Sequence, residues 1–162
     1  MHTEQIVASK VANGFLVDAK PKGLVSALGL YEAQRYQESH GGIWVGGRVW
    51  LTTTFLIFGP NALNRGAHES ELEIVLPLAS VEQVDFERAF FTSIVNARSE
   101  FGTLQFRCYG ARAFGDVVDA AVVRARAALD LSPGQSFAEV VSSRQLAEEL
   151  KRSLDAARDL LR

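Results

Sequence analysis

The segment Val45–Phe58 constrains the fold more than any other part of this chain. Val45–Leu51 is rich in branched and aromatic residues, Thr52-Thr53-Thr54 interrupts it, and Phe55-Leu56-Ile57-Phe58 resumes before Gly59-Pro60-Asn61. Two strands joined by a short polar turn fit this pattern better than a helix. Further strand signals follow. Leu72–Leu78 alternates acidic and apolar residues at first, and its Pro77 cannot donate to a ladder, so that point belongs at an edge, an end or a bulge. Ala79–Phe86 continues as a short strand. Phe90–Ala97 and Thr103–Tyr109 form a hairpin whose Gly102 is placed for positive φ. A first strand is expected at Leu28–Gln37. The sum is seven strands.

The periodicity then changes. Phe114, Val117, Val118, Ala121, Ala125 and Ala128 recur at helical steps, with Asp116 in the expected first turn. Ser132-Pro133-Gly134 breaks this helix. Ser136-Phe137-Ala138-Glu139 matches a capping box. Ala147, Leu150, Leu154, Ala157 and Leu161 then mark a second amphipathic helix over Ser143–Leu161. The fold class expected is α+β, mainly β: a curved antiparallel seven-stranded sheet or partly open barrel, closed by a C-terminal helix and followed by one more. The division expected is an N-terminal segment at 1–23, a domain at 24–130 and a helical extension at 131–162. In the N-terminal segment, Ile6, Val7, Val11 and Phe15 have near-helical spacing, weakened by Gly14 and Pro21, so partly helical structure is expected there.

Composition excludes several functions. Net charge is −2, and residues 23–130 hold nine Lys/Arg against twelve Asp/Glu, so bulk attraction to nucleic acid is absent. Cys108 is the single cysteine and is read as a buried, inert thiol. The start of the sequence carries no signal-peptide pattern, and a cytoplasmic protein is expected, with peripheral membrane contact left open. His2, His40 and His68 are too scattered for a metal triad, and no metal or cofactor is expected. Phosphate-cradling and nucleophile-elbow motifs are missing, which argues against an enzyme. Gly41-Gly42 is read as a turn and Gly46-Gly47 as a bulge. Trp44 and Trp50 share a face only if no bulge intervenes.

Arg48–Phe58 resembles the signature hairpin of GRAM domains, members of the pleckstrin-homology-like superfamily, here of the small bacterial type. Leu76-Pro77-Leu78-Ala79-Ser80-Val81 resembles that family's I-P-L-x-x-I strand, and Phe101–Phe106 its later G-x-x-F hairpin. Phe114–Leu129 fits the closing helix. The resemblance implies a non-catalytic binding module that engages a protein or lipid surface. Arg35 and Arg48 are the only Lys/Arg between Gly23 and Asn61, so weak or no phosphoinositide binding is expected.

Candidate ligand-binding residues follow. Arg35, His40 and Arg48 could flank one mouth of the sheet, where an arginine fork suits phosphate. Asn61, Arg65 and His68, with Asn64, form a polar cluster in the loop before Ser70. The alternative function is a structural or assembly subunit working through its C-terminal helix, with Leu150, Leu154 and Leu161 as interface residues. The partners expected are therefore a protein, a second copy of the chain or, with less support, a membrane lipid.

Overall fold

A computed structural model describes residues 3–17, 44–60, 74–88 and 92–161. Seven strands form one antiparallel sheet: β1 (Ile6–Val17), β2 (Val45–Thr52), β3 (Phe55–Pro60), β4 (Ile74–Pro77), β5 (Val81–Arg88), β6 (Ser93–Ser99) and β7 (Gly102–Cys108). Their spatial order is β4-β3-β2-β1-β7-β6-β5. Three helices follow: α1 (Ala111–Ala128), α2 (Phe137–Val140) and α3 (Arg144–Leu160).

This order dictates a rolled sheet. β4 and β5 occupy opposite edges, yet only a 3₁₀ turn, Leu78–Ser80, joins them. In a flat sheet six strand spacings would separate them by roughly 29 Å. The four Cα steps from Pro77 to Val81 reach at most about 14 Å. The sheet must curl until its two edges meet at this corner. Hydrogen bonds then clasp the corner. Leu78 N donates to Thr54 O of the β2–β3 turn at 2.9 Å, and Glu100 N of the β6–β7 turn donates to Ser80 O at 3.2 Å. Arg126 of α1 donates through Nη1 to Ala79 O at 2.9 Å and through Nη2 to the carbonyls of Ser132 and Gln135.

The strand over Ile6–Val17 corrects the expectation of partly helical structure in 1–23. It pairs with β2 on one side and β7 on the other, so it is the middle strand of the sheet. Two long ladders outweigh a short apolar spacing that suits either period. The strand expected at Leu28–Gln37 lies outside the described residues. The bulge expected at Gly46-Gly47 is also corrected: both glycines stay in register with Asn13 and Ala12, and the irregularity falls between Ile6 and Ala8. Space explains these glycines. A Cβ on Gly14 would lie 2.7 Å from the Phe58 ring, and one on Gly47 would lie 2.2 Å from Gly59 O. Phe58 is fully buried and lies over the two bare backbone positions.

Inside the roll, Leu51, Leu56, Phe58, Ile74, Leu76, Leu104 and Phe106 form the core. Ile74 and Leu76 face inward as the alternation implies, and the edge strand β4 ends at Pro77. α1 plugs the open end against β5, β6 and the 3₁₀ turn. Its Phe114 meets Phe106 edge-on, with ring centroids 5.8 Å apart. The helix begins at Ala111 behind Gly110 (φ 67°), so Asp116 belongs to its second turn and not, as expected, to its first. Cys108 is buried, and burial pushes its thiol up from the ordinary range, with Lys10 opposing the shift.

The C-terminal extension belongs to this same core. Leu131, Phe137, Val141, Leu150, Leu154 and Ala157 are buried in one cluster with the sheet residues. The β6–β7 turn holds α2 in two ways. The Glu100 carboxylate accepts hydrogen bonds from Phe137 N at 2.6 Å and Ala138 N at 3.0 Å, at a helix start where negative charge is favoured. Beside it, Phe101 packs edge-on against Phe137 at 6.3 Å. Ser136 accepts from Glu139 N at 3.4 Å, the half of the capping box that the sequence signals. Gly102, at φ 137°, completes the turn as expected.

Three substitutions test this architecture. Gly14→Ala should cost about 1–3 kcal/mol of unfolding free energy through overpacking against Phe58. Gly47→Ala should cost more, because its obstacle is backbone of the paired strand and not a ring that can shift. Denaturant titration of both variants checks the order. Glu100→Ala should cost about 1.5–3 kcal/mol, since it strips a charged acceptor from two amides. Amide exchange at Phe137 and Ala138 should accelerate more than exchange in β1; equal acceleration would contradict a local clamp.

Candidate binding face

Side-chain alternation along β1 defines two faces. Ala12 and Gly14 point into the roll, while Val11 and Asn13 point out. The ladders extend this outer face sideways: Val11 sits opposite Arg48, Ser9 opposite Trp50, and Asn13 opposite Arg107. The unbroken β2 register puts Trp44 and Trp50 on this same face. Trp44 reaches across β1 to Arg107, whose guanidinium carbon lies 4.7 Å from the ring centroid. Such a contact holds the planar cation while leaving its edges able to donate. Arg48 is half-buried and donates from Nη1 to Ser9 Oγ at 3.1 Å.

The outer face is not uniform. On β3 and β4 it is closed: Phe55, Ile57 and Val75 point outward and are all buried. Over β1 it is open: Val11, on the middle strand of the sheet, is 69% exposed and Val7 49%. An exposed valine costs apolar burial of roughly 25 cal/mol per Å² that the sheet could otherwise gain. Toward β5 the face turns acidic. Asn96 is fully buried there and donates from Nδ2 to Asp85 Oδ1 at 2.8 Å and to Glu87 Oε1 at 3.0 Å, while its Oδ1 has no hydrogen-bond partner among the described residues. The Arg98 hydrogen bond, helped by that from Asn96, holds the Asp85 carboxyl below the ordinary carboxylate range against the opposing effect of partial burial.

Of the candidate ligand residues, Arg48 alone falls among the described residues, and it joins the open face. Arg35, His40, Asn61, Arg65 and His68 lie outside them. Of the candidate interface residues, Leu150 and Leu154 are buried within their own chain and Leu161 packs partly against the same cluster. Sequence reasoning missed Val7, Val11, Asn13 and Arg107. The signal for Val11 is its alternation with the inward Ala12 and Gly14, a period of two that the near-helical spacing of Ile6, Val7, Val11 and Phe15 masks.

The threonine turn, a feature of the GRAM resemblance, works as a structural joint. Glu4 accepts from Thr54 N at 3.0 Å and Thr54 Oγ1 at 2.8 Å, and Thr52 Oγ1 accepts from Phe55 N at 3.0 Å. Thr53 N donates to Gln5 O at 3.0 Å. These bonds tie the start of β1 to the turn and thereby orient the open face. Among the described residues no helix is long and apolar enough to cross a membrane.

No family model matches the chain, and no curated protein matches it. Among solved structures the chain is similar to the Vps36 N-terminal PH domain, with TM-score 0.48 and 11% identity over 75% of this chain and 80% of that one. It is also similar to the C-terminal domain of an unknown protein from Leishmania infantum, with TM-score 0.44 and 8% identity over 74% and 85%.

Asp85 has a lowered folded-state pKa, so its contribution to stability is present above the unfolded carboxylate range and is lost as pH falls through the folded value. The stability gap between the native protein and Asp85→Asn should therefore be widest near neutrality and shrink in acid. Denaturant midpoints collected from neutral pH downward check it; a constant gap contradicts the assignment.

Proposed function

We propose that this chain is a non-catalytic binding module of the pleckstrin-homology-like kind, a reading that the GRAM resemblance of Arg48–Phe58 supports, and that it engages a protein surface through the open outer face of β1. The observation that carries this reading is Val11, an exposed apolar residue at the centre of a sheet whose neighbouring outer face on β3 and β4 is buried. Two tryptophans and two arginines surround it, residue types enriched where proteins meet. The described residues act as one unit in this reading, because β1 is the middle strand and the last two helices share its core.

A protein surface is favoured over a lipid one by charge. Near an anionic membrane each basic residue contributes about 1 kcal/mol, so Arg48 and Arg107 together supply far less than stable anchoring requires. The alternative, assembly through α3, has less to use. Leu150 and Leu154 are spent inside the chain, and the exposed side of the helix carries Glu148, Glu149, Lys151, Arg152 and Asp155.

Site-specific photocrosslinking tests the reading in cells that express the full chain. A benzophenone side chain at position 11 should give discrete protein adducts, while one at the exposed Val123 of α1 should not. Absence of adducts from position 11, or the same adducts from both positions, would overturn it.

A further inference from the structure

We infer that the occupant of the β1 face is an extended acidic segment of a partner protein, with two carboxylates flanking one apolar side chain. The inference rests on the binding-module reading above and adds the partner's chemistry.

Charge complementarity is the first argument. The chain is net acidic, yet β1, β2 and β7 contain no Asp or Glu and carry Lys10, Arg48 and Arg107. Lys10 has inward parity, with its Nζ near Gly110 at the open end, which leaves the two arginines on the face. Among the described residues neither is ion-paired to a carboxylate: Arg48 is bonded to the Ser9 hydroxyl, and Arg107 lies against Trp44. Both guanidinium groups are thus positioned without a neutralising carboxylate among the described residues. A carboxylate fits their planar fork with two parallel hydrogen bonds.

Geometry is the second argument. Arg48 pairs with Val11 and Arg107 with Asn13, on opposite sides of β1. Their Cα positions are two strand spacings apart and offset by two residues, a separation of roughly 12 Å. In an extended chain, residues i and i+4 point the same way and lie about 13 Å apart, with residue i+2 between them on the same side. An acid-x-apolar-x-acid segment lying diagonally across β1 would meet both arginines and set its central side chain against Val11. Glu87, farther along the sheet on β5, would repel a segment shifted that way and so help set the register.

The test uses the full chain, nitrogen-15 labelled, titrated with a glycine-flanked peptide of core Glu-Ser-Leu-Ser-Glu. Saturable amide shifts should appear on β1, β2 and β7 and should weaken as salt is added. The Lys-Ser-Leu-Ser-Lys peptide should produce none. Arg48→Gln combined with Arg107→Gln, shown to fold by its amide spectrum and melting temperature, should weaken peptide binding about tenfold or more. No saturable shift at millimolar peptide, equal response to the lysine peptide, or binding unchanged in the double variant would each overturn the inference. So would phosphatidylserine vesicles binding the same face through the same arginines, since the occupant would then be a membrane. The crosslinking experiment separates the two levels. If position-11 adducts persist undiminished in the double variant, the binding module stands and the acidic partner falls; if position 11 gives no adducts in the native chain, the module reading itself fails.

Discussion

A three-residue bridge between the two edges of the sheet governs this structure. Leu78–Ser80 spans a gap that would be about twice its reach if the sheet were flat, so curvature is imposed by connectivity and then retained by hydrogen bonds. The bridge collects a bond from the β6–β7 turn, gives one to the β2–β3 turn, and receives the Arg126 side chain of the closing helix. Its three residues are buried, so each of these polar contacts satisfies a backbone group shielded from water. The two turns it joins have their own attachments: Glu4 and Gln5 fasten the start of β1 to one, and Glu100 fastens α2 to the other. One corner therefore holds the sheet, both termini of its ladder and the C-terminal extension.

Rolling the sheet solves one burial problem and creates another. The inner face becomes a closed core, tight enough that Phe58 requires two facing positions without side chains. The outer face is then convex and needs separate cover. On β3 and β4 that cover exists, since their outward residues are buried within the chain. On β1 it does not, and what is displayed there is a mixed surface of valine, tryptophan and arginine. A convex strand face of this kind presents an area of contact, whereas small-molecule sites are concave.

The last helices show how an amphipathic pattern can have two very different meanings. The apolar stripe of α3 needs a partner, because an isolated helix of that length is marginal in water. A stripe of this kind serves equally well against another copy of the chain or against its own domain. Phe101 and Glu100, both in a hairpin turn some forty residues upstream, favour the second by docking α2 at its start.

Local chemistry made much of this legible. The strands β2 and β3, the burial of Phe55 and Ile57 along with Leu76, Leu104 and Phe106, the ends of α1 and α3, the glycine turn at Gly102 and the buried Cys108 all follow from short-range patterns of branching, period and turn residues. Such signals travel only a few residues along the chain. The role of Ile6–Val17 was decided elsewhere: its spacing suits two periods, and only ladders to β2 and β7 choose the extended one. Gly46 and Gly47 likewise signal conformational freedom in sequence, whereas the room Gly47 leaves for Phe58 and Gly59 exists only in three dimensions. The open face belongs to this second class. Val11, Arg48 and Arg107 are far apart in sequence and ordinary in type, and they become neighbours because the first strand enters the middle of the sheet, a choice made by long-range pairing that no local propensity encodes.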